Sequence, residues 1–353
     1  MKEMWKGNHA IAEAALRAGC KFYAGYPITP QTEVGEYLSA RMPELGRTFL
    51  QAENEMSAAY MLFGASACGM RCMTSSSGPG FSLKQEAISY LCTNFLPALF
   101  VNVIRWGPGL GNLDSAQTDY LRDTRGGGNG DYRLVVLAPN SIQETVDLLY
   151  DAYDIAERYR NPVELLSEAA LGQMMEPVEF PEFKEGPTDL DWVWDGTGDK
   201  NSYDHGRPTT AGKPAAFRKK IETMRENEQR WENYKVQDAD YVFVSYGLPS
   251  RTTRTAVDKL RAEGEKVGLI RPITAWPFPY KGFEEVPGTV KGMISVESTD
   301  SGQVIEDVAL ATKKMCAGNI PVYGLFSGQN IPTPVHIIEY FEKVKSGEEK
   351  EAF

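Results

Sequence analysis

Residues 97–104, PALFVNVI, give the clearest pattern of a buried strand in this sequence. The run is almost continuously apolar rather than alternating, which is typical of a strand buried on both faces. Similar short runs, separated by helical patterns, lie at residues 21–24, 48–51, 71–74, 134–137 and 163–166. Buried strands that alternate with helices predict a parallel sheet covered by helices on both sides, an α/β fold.

The same alternation returns, over a shorter length, near the C-terminus. Strand patterns lie at residues 241–246, 266–270, 293–296 and 321–323, with helical patterns between and after them. The segment between the two α/β regions is rich in Pro, Gly, Asp and Lys and contains a charged helix candidate at 215–235. We therefore predict a first domain at 1–179, a linker or arm at 180–237 and a smaller α/β domain at 238–353.

Composition and charge exclude several classes of protein. The 353 residues are 42% hydrophobic and 24% charged, as in ordinary globular proteins. A net charge of -11 disfavours a nucleic-acid partner, because phosphate binding needs a basic face. No apolar run reaches the ~18 residues of a membrane-spanning helix, and residues 1–6 lack the apolar stretch of a secretory signal. We expect a cytoplasmic protein without membrane contact.

Metal-binding residues are few and scattered. The sequence has five cysteines and three histidines, and only Cys68 and Cys72 lie close together. On one helix these two could be zinc ligands, but burial as small residues in an Ala/Gly-rich region is the favoured interpretation. We expect no metal or iron–sulfur site in this chain.

Four polar, glycine- and proline-rich loops follow the predicted strands, at residues 25–30, 51–55, 75–80 and 105–111. Ligands of open parallel sheets bind at the carboxyl ends of the strands, so these loops predict one pocket. The glycine spacing at 107–111 and 75–80 matches neither a dinucleotide-binding nor a Walker motif. Tight turns at strand ends are therefore favoured there over nucleotide binding.

Three residues in these loops are candidates for chemistry. Glu55 lies near the start of a helix of small residues, where it either complements the helix dipole, as Glu53 also does, or exchanges a proton with a ligand. Arg105 ends an apolar strand and pairs either with structural carboxylates or with a ligand carboxylate. Thr29, whose backbone is restricted by the following proline, is either a turn residue or a hydroxyl donor.

Taken together, these motifs resemble the α subunit of a 2-oxoacid:ferredoxin oxidoreductase. The resemblance rests on Gly7-Asn8, 26–30 (YPITP), 51–55 (QAENE), 74–80 (TSSSGPG), Arg105, 159–163 (YRNPV), 244–247 (VSYG), 266–274 (KVGLIRPIT) and 276–279 (WPFP). The branched-chain, 2-oxoisovalerate type is the most similar, on residues 77–80 (SGPG), 83–86 (LKQE), 107–111 (GPGLG) and 171–177 (LGQMMEP).

The resemblance implies a pyrimidine-binding domain of thiamine diphosphate enzymes followed by a transketolase C-terminal-like domain. It implies a β subunit that carries the diphosphate-binding domain, Mg²⁺ and a [4Fe-4S] cluster, with γ and ferredoxin-like δ subunits beside it. This sequence has no G-D-G motif followed by asparagine at the spacing of a diphosphate site, and no cluster cysteines. Both observations agree with a cofactor that is shared between two chains.

The resemblance also implies an activity and roles for residues. The reaction converts a 2-oxo acid and coenzyme A to acyl-CoA and CO₂ and reduces ferredoxin. Glu55 would hydrogen-bond N1′ of the aminopyrimidine and favour its imino tautomer, Thr29 and Arg105 would bind the substrate, and the pyrimidine would be walled by Tyr26, Pro27 and Ile28. Trp106 departs from the small residue common in relatives, so 2-oxoglutarate, pyruvate or an aryl pyruvate remain alternatives to 2-oxoisovalerate. A non-catalytic assembly subunit is the alternative from another class.

Overall fold

The computed structural model describes residues 2–188, 190, 192–194 and 214–353. The strands are β1 (Glu3–Lys6), β2 (Phe22–Gly25), β3 (Thr48–Gln51), β4 (Cys72–Ser76), β5 (Leu99–Ile104), β6 (Val135–Leu137), β7 (Val163–Glu168), β8 (Met175–Val178), β9 (Trp231–Tyr234), β10 (Tyr241–Val244), β11 (Val267–Pro272), β12 (Thr274–Trp276), β13 (Gly292–Glu297) and β14 (Val322–Phe326). The helices are α1 (Gly7–Arg17), α2 (Thr32–Glu44), α3 (Glu55–Ala67), α4 (Gly78–Ser82), α5 (Gln85–Thr93), α6 (Tyr120–Arg125), α7 (Ile142–Tyr159), α8 (Ala169–Gln173), α9 (Pro214–Asn227), α10 (Gly247–Ala262), α11 (Val304–Met315) and α12 (Pro334–Ser346), with a 3₁₀ helix at Tyr280–Glu285.

The larger sheet has seven strands in the order β12-β6-β7-β5-β4-β2-β3. All its pairs are parallel except β12 with β6. All six residues of β5 are buried, because the strand lies between β4 and β7 with helices packed on the sheet. The run at 97–104 therefore forms an inner strand, and the predicted parallel α/β sheet is confirmed.

The chain path through this sheet creates a crevice at the loops after β2 and β4. From β2 the chain moves outward to the edge strand β3, and it then returns to β4 on the other side of β2. Loops that follow two such strands diverge, and open α/β sheets bind their ligands in the gap. Residues 26–31 and 77–84 are thereby placed at the opening.

The smaller sheet has five strands in the order β14-β13-β10-β11-β9. Its edge strand β9 corrects the predicted helix at 215–235, because α9 ends at Asn227 and residues 231–234 pair antiparallel with β11. This pairing is favoured by an ion pair across the strands, in which the Arg271 guanidinium contacts the Glu232 carboxylate at 3.0 Å. The second sheet thus begins inside the segment that the sequence presents as a linker.

The two sheets are joined by a strand exchange and by polar contacts. β12 belongs by sequence to the second α/β region, yet it pairs with β6 at the edge of the first sheet. The Gln117 side-chain amide donates to the Tyr246 carbonyl at 3.0 Å, and its oxygen accepts from the Ser298 amide at 3.0 Å. These contacts hold the loops after β5 against the second sheet. In the described part of the chain, no helix has the length and apolarity to cross a bilayer.

Candidate active site

Glu55 is the first residue of α3 and is only 7% exposed. The helix begins there because Asn54 caps it: the Asn54 side-chain oxygen accepts a hydrogen bond from the Ser57 amide at 2.8 Å. The small side chains Ala58 and Ala59 are fully buried, so the helix packs closely on the sheet. This packing fixes the carboxyl of Glu55 beside the loop after β4.

A glycine makes the space that receives this carboxyl. A Cβ atom on Gly80 would stand 2.5 Å from Oε1 of Glu55 and 2.5 Å from Oγ of Ser76. Both distances are shorter than any real contact, so only glycine admits the two groups together. The hydroxyls of Ser76 and Ser77 are buried and have no hydrogen-bond partner in the described structure. Buried hydroxyls of this kind are normally satisfied, so these two are available to a ligand.

Lys84 is a buried amine in contact with this group, and sequence reasoning assigned it no role. Its side chain is fully buried, and its Nζ donates to the Glu55 carbonyl at 3.2 Å and to the Thr74 hydroxyl at 2.9 Å. Burial lowers the pKa of the Lys84 ammonium to about 7, although the Glu55 carboxylate acts in the opposite direction. In the sequence, Lys84 stands out only as a member of the motif at 83–86. Its burial depends on tertiary packing, which the sequence pattern does not show.

Arg105 follows β5 and is 6% exposed. Its Nη1 donates to the Thr29 carbonyl at 2.7 Å and its Nη2 to the Leu110 carbonyl at 2.9 Å, while its Nε is buried without a partner. Among the ion pairs found between described residues, none involves Arg105. In the described residues, Arg105 therefore does not pair with a structural carboxylate, which was one of the two alternatives for this residue. The guanidinium retains a charge that a ligand carboxylate can neutralise.

A cavity of about 490 Å³ opens beside Arg105. Its lining includes Gly78, Trp106, Arg122 and Asp300. The second guanidinium in this lining is already compensated, because Arg122 pairs with Asp119 at 2.9 Å and with Asp123 at 2.7 Å. Among the described residues, carboxylates neutralise the charge of Arg122 but not the charge of Arg105, so Arg105 is the better partner for an anion.

Trp106 is held by the second α/β region. Its indole N–H donates to the Asp300 carboxylate at 2.9 Å. The loop that carries it turns back at Gly111, which has a φ of +62° and would place a Cβ 1.7 Å from the Trp106 carbonyl oxygen. The indole thus forms a fixed apolar wall of the cavity beside Arg105.

Thr29 lies in a loop that is anchored through the next residue. The Pro30 carbonyl accepts from the side-chain amides of Asn8 at 2.7 Å and Gln173 at 3.1 Å, and Thr29 itself accepts from Arg105. Thr29 is exposed and lines a separate cavity of about 550 Å³. Sequence reasoning included Asn8 and Gln173 in the family motifs but did not assign them this anchoring role.

Tyr26 and Pro27 are exposed and line a third, smaller cavity of about 190 Å³ with Gln31 and Phe49, and Ile28 is half-buried. The structure thus brings Thr29 to Arg105 by a direct hydrogen bond. It also places Gly78 against Arg105 and Gly80 against Glu55, so one short segment lies between the two candidate residues. All four loops therefore adjoin, although their residues line different cavities.

The cysteine pair is separated by secondary structure. α3 ends at Ala67, Cys68 is exposed beyond it, and Cys72 is buried at the start of β4. The two are therefore not neighbours on one helix, and the zinc alternative is wrong. In the described residues, no cluster of three or more His, Cys, Asp or Glu side chains has the arrangement of a metal site.

Comparison with known proteins identifies the family. Residues 13–242 match the family described as pyruvate flavodoxin/ferredoxin oxidoreductase, thiamine diphosphate-binding, and residues 239–337 match pyruvate:ferredoxin oxidoreductase core domain II. The chain belongs to the 2-oxoacid:ferredoxin oxidoreductases. It is 47% identical to ketoisovalerate oxidoreductase subunit VorB of Methanothermobacter marburgensis, over 88% of this chain and 90% of that protein. It is 34% identical to 2-oxoglutarate synthase subunit KorA of Methanocaldococcus jannaschii, over 88% and 92%.

Solved structures agree with the fold of this oxidoreductase subunit. A 2-oxoglutarate:ferredoxin oxidoreductase from Magnetococcus marinus superposes with a TM-score of 0.82 at 24% identity, and the match covers 97% of this chain and 65% of that one. A split-gene transketolase superposes with a TM-score of 0.61 at 14% identity. The predicted thiamine-diphosphate-binding domain followed by a transketolase-like α/β domain is confirmed.

Proposed function

We propose that this chain is the catalytic α subunit of a branched-chain 2-oxoacid:ferredoxin oxidoreductase, which converts 2-oxoisovalerate and coenzyme A to acyl-CoA and CO₂ and passes the two electrons released to ferredoxin. The observation that carries the proposal is the Glu55 carboxyl, held at the start of α3 against Gly80 and beside the unpartnered Ser76 hydroxyl. A buried acid with a glycine cradle and free hydroxyls fits the polar edge of an aminopyrimidine.

Thiamine diphosphate, when bound, supplies the nucleophilic carbon and accepts the electrons that decarboxylation leaves. Glu55 would exchange a proton between its carboxyl, which lies against Gly80, and a ring nitrogen of the bound aminopyrimidine. Close packing of α3 keeps water from this carboxyl, which strengthens the hydrogen bond. Tyr26, Pro27 and Ile28 remain proposed walls of the pyrimidine, and their exposure leaves room for the cofactor and a second chain.

Arg105 and Thr29 are proposed to bind the substrate. The unpaired charge of Arg105 suits the single carboxylate of 2-oxoisovalerate. A 2-oxoglutarate would bring a second carboxylate, and the other guanidinium of this cavity, Arg122, is already paired with two aspartates. Trp106 adds an apolar wall that suits a branched alkyl group. These features, with the 47% identity to a ketoisovalerate oxidoreductase subunit, favour the branched-chain acid.

The partner is proposed to cover the face beside Glu55. Met56, Tyr60, Leu83 and Tyr90 are exposed large hydrophobic residues on α3, on α5 and in the loop between α4 and α5, with exposures of 48%, 40%, 55% and 47%. Such a group next to a half-open site is typical of an interface. We propose that a β subunit with the diphosphate-binding domain, Mg²⁺ and a [4Fe-4S] cluster docks there, with γ and δ subunits that pass electrons to ferredoxin.

The proposal is tested on the native complex, co-purified anaerobically with this chain. We expect thiamine diphosphate and iron in the complex, and coenzyme-A-dependent ferredoxin reduction with the highest kcat/KM for 2-oxoisovalerate. Higher kcat/KM for 2-oxoglutarate, pyruvate or an aryl pyruvate would overturn the substrate assignment. A freshly isolated, intact complex without either cofactor would favour the non-catalytic assembly role.

A further inference from the structure

Arg122, in α6, is a mostly buried arginine to which the proposed function assigns no role of its own. Its Nε and Nη2 donate to the Asp123 carboxylate at 2.7 and 3.1 Å, and Nη2 also pairs with Asp119 at 2.9 Å. Both carboxylates accept from the side-chain amide of Asn102 in the inner strand β5, at 2.8 and 3.0 Å. The larger sheet therefore fixes the two aspartates, and the aspartates fix the guanidinium.

A buried cluster of this kind is weak evidence for a role in stability. Taking charged groups out of water is costly, and well-packed apolar side chains would often stabilise a fold as well as an ion pair does. What the cluster adds is direction. A planar guanidinium that is held on two nitrogens by carboxylates keeps its third nitrogen at a fixed place and angle.

The third nitrogen of Arg122, Nη1, holds the short helix α4. It donates to the Gly78 carbonyl at 2.9 Å and to the Ser82 hydroxyl at 3.1 Å, and these two residues lie at opposite ends of the helix. The guanidinium carbon also lies 5.0 Å from the centre of the Phe81 ring in the same helix. Three contacts from one side chain thus fix α4 against α6.

The helix that Arg122 holds lies between the two main candidate residues of the site. A Cβ atom on Gly78 would stand 3.5 Å from Cγ of Arg105, and a Cβ atom on Gly80 would stand 2.5 Å from Oε1 of Glu55. Protein interiors are close-packed, so a small shift of one element is felt by its neighbours. A displacement of α4 would therefore disturb the guanidinium and the carboxyl together.

We propose that Arg122 is a positioning residue: it holds α4 so that the Glu55 carboxyl and the Arg105 guanidinium keep their places toward thiamine diphosphate and the substrate carboxylate. The two aspartates already neutralise the charge of Arg122, so it acts through α4 and not on the substrate itself. The inference rests on the proposed function, because it assigns Arg122 a role toward both ligands. Loss of this role weakens cofactor binding and substrate use together.

Arg122→Lys in the purified complex tests the role. Lysine keeps a positive charge beside Asp119 and Asp123, but its single ammonium group cannot also hold Gly78 and Ser82 at fixed angles. Small misplacements of reacting groups cost up to about 10²-fold in rate. We expect kcat/KM for 2-oxoisovalerate to fall about 10²-fold, through both kcat and KM, and the thiamine diphosphate dissociation constant to rise about tenfold.

Arg125→Lys is the matched control in the same helix. Arg125 pairs with Asp307 of α11 at 3.0 Å, so a loss of stability in α6 alone would appear in both variants. We expect Arg125→Lys to keep the wild-type dissociation constant and KM. A merely structural Arg122 would lower the unfolding temperature but leave both constants of the assembled Arg122→Lys complex unchanged, and that result would overturn the proposal.

A double variant tests whether Arg122 acts through α4. Gly80→Ala disturbs the same helix beside Glu55, so its effect on cofactor affinity and that of Arg122→Lys should not be independent. We expect the double variant to bind thiamine diphosphate less weakly than the product of the two single effects predicts. Two effects that simply multiply would overturn the route through α4.

Ser82→Ala keeps the test informative if Arg122→Lys does not assemble. It removes one acceptor of Nη1 and leaves both aspartates paired, so the dissociation constant and KM rise by about two- to threefold. Wild-type values of both constants in Ser82→Ala would then overturn the role of Arg122. Failure of the wild-type complex to bind thiamine diphosphate would instead overturn the proposed function.

Discussion

The guanidinium of Arg105 donates to the carbonyl oxygen of Thr29 at 2.7 Å and so joins the loop after β5 to the loop after β2. The same guanidinium forms no ion pair within the described chain and keeps one buried N–H without a partner. A group that is fixed in position but not electrically compensated is prepared to bind an anion. This relationship connects the fold of the subunit to the recognition of its proposed substrate.

Replacing Arg105 by lysine tests this arrangement. Lysine keeps the charge but lacks the planar guanidinium. Its single ammonium group cannot contact the Thr29 carbonyl, the Leu110 carbonyl and a ligand carboxylate together. We expect kcat/KM for 2-oxoisovalerate to fall about 10²-fold, mostly through KM. Arg41→Lys, at a partly exposed position in α2, is the control and keeps wild-type kinetics. Unchanged kinetics in Arg105→Lys would remove Arg105 from substrate binding.

Gly80→Ala tests the cradle beside Glu55. The added Cβ would lie 2.5 Å from both Glu55 Oε1 and Ser76 Oγ, so the carboxyl must move. We expect thiamine diphosphate binding by the complex to weaken at least about tenfold. Gly64→Ala in α3 meets no atom within 4 Å and serves as the control, with helix stability raised by up to about 1 kcal/mol. Equal cofactor affinities in the two variants would contradict the account.

Trp106 and Asp300 test the wall of the substrate cavity. Asp300→Ala removes the acceptor of the indole N–H, whereas Asp300→Asn keeps an acceptor oxygen at the same place. We expect Asp300→Ala to lower the preference for 2-oxoisovalerate over bulkier aryl pyruvates by about tenfold, while Asp300→Asn stays close to wild type. The measurement is the ratio of kcat/KM values. The same ratio in both variants would show that the indole does not set specificity.

Glu168 provides a pH test of the junction between the two sheets. Its Oε1 accepts from the Leu248 amide at 2.9 Å, its Oε2 is buried without a partner, and burial raises the pKa of the carboxyl from 4.5 to about 8. The folded state therefore holds a proton that the unfolded state releases above pH 4.5. Stability is full below that pH and is lost as the pH rises through about 8.

Thermal unfolding of the complex between pH 5 and 8 measures this effect. We expect the wild-type Tm to fall across the range and the Tm of Glu168→Gln to fall less, because the amide carries no proton to release. Glu339→Gln, at an exposed position in α12, reports the background and follows the wild type. A Glu168→Gln slope equal to that of the wild type would exclude this carboxyl as the source.

Much of the fold was accessible from sequence because buried parallel strands are uniformly apolar. The run at 97–104 and the short strand at 48–51 lie where their patterns predict them. The edge strands β1, β8 and β12 were missed, since strands of three or four residues carry too little periodicity to be seen. β9 was taken as helix because its charged surroundings resemble a solvated helix, and its pairing with β11 decides otherwise.

The candidate site likewise has residues that sequence patterns predict and features that only the folded structure shows. Glu55, Thr29 and Arg105 are predicted as site residues from the loops at strand ends and from family motifs, and the structure adds the direct contact between Thr29 and Arg105. The burial of Lys84 beside Glu55 was not predicted, because lysine is ordinarily a surface residue and only three-dimensional packing buries it. The separation of Tyr26 and Pro27 into another cavity also depends on how the loop after β2 folds.

The Glu55 carboxyl is proposed to act on thiamine diphosphate, and Glu55→Gln separates this role from the packing of the side chain. Glutamine keeps the shape but cannot exchange a proton, so we expect turnover of 2-oxoisovalerate by the purified complex to fall about 10²–10⁴-fold with assembly intact. Glu53→Gln, two residues earlier and exposed, is the matched control and retains activity. Wild-type turnover in Glu55→Gln would contradict the account.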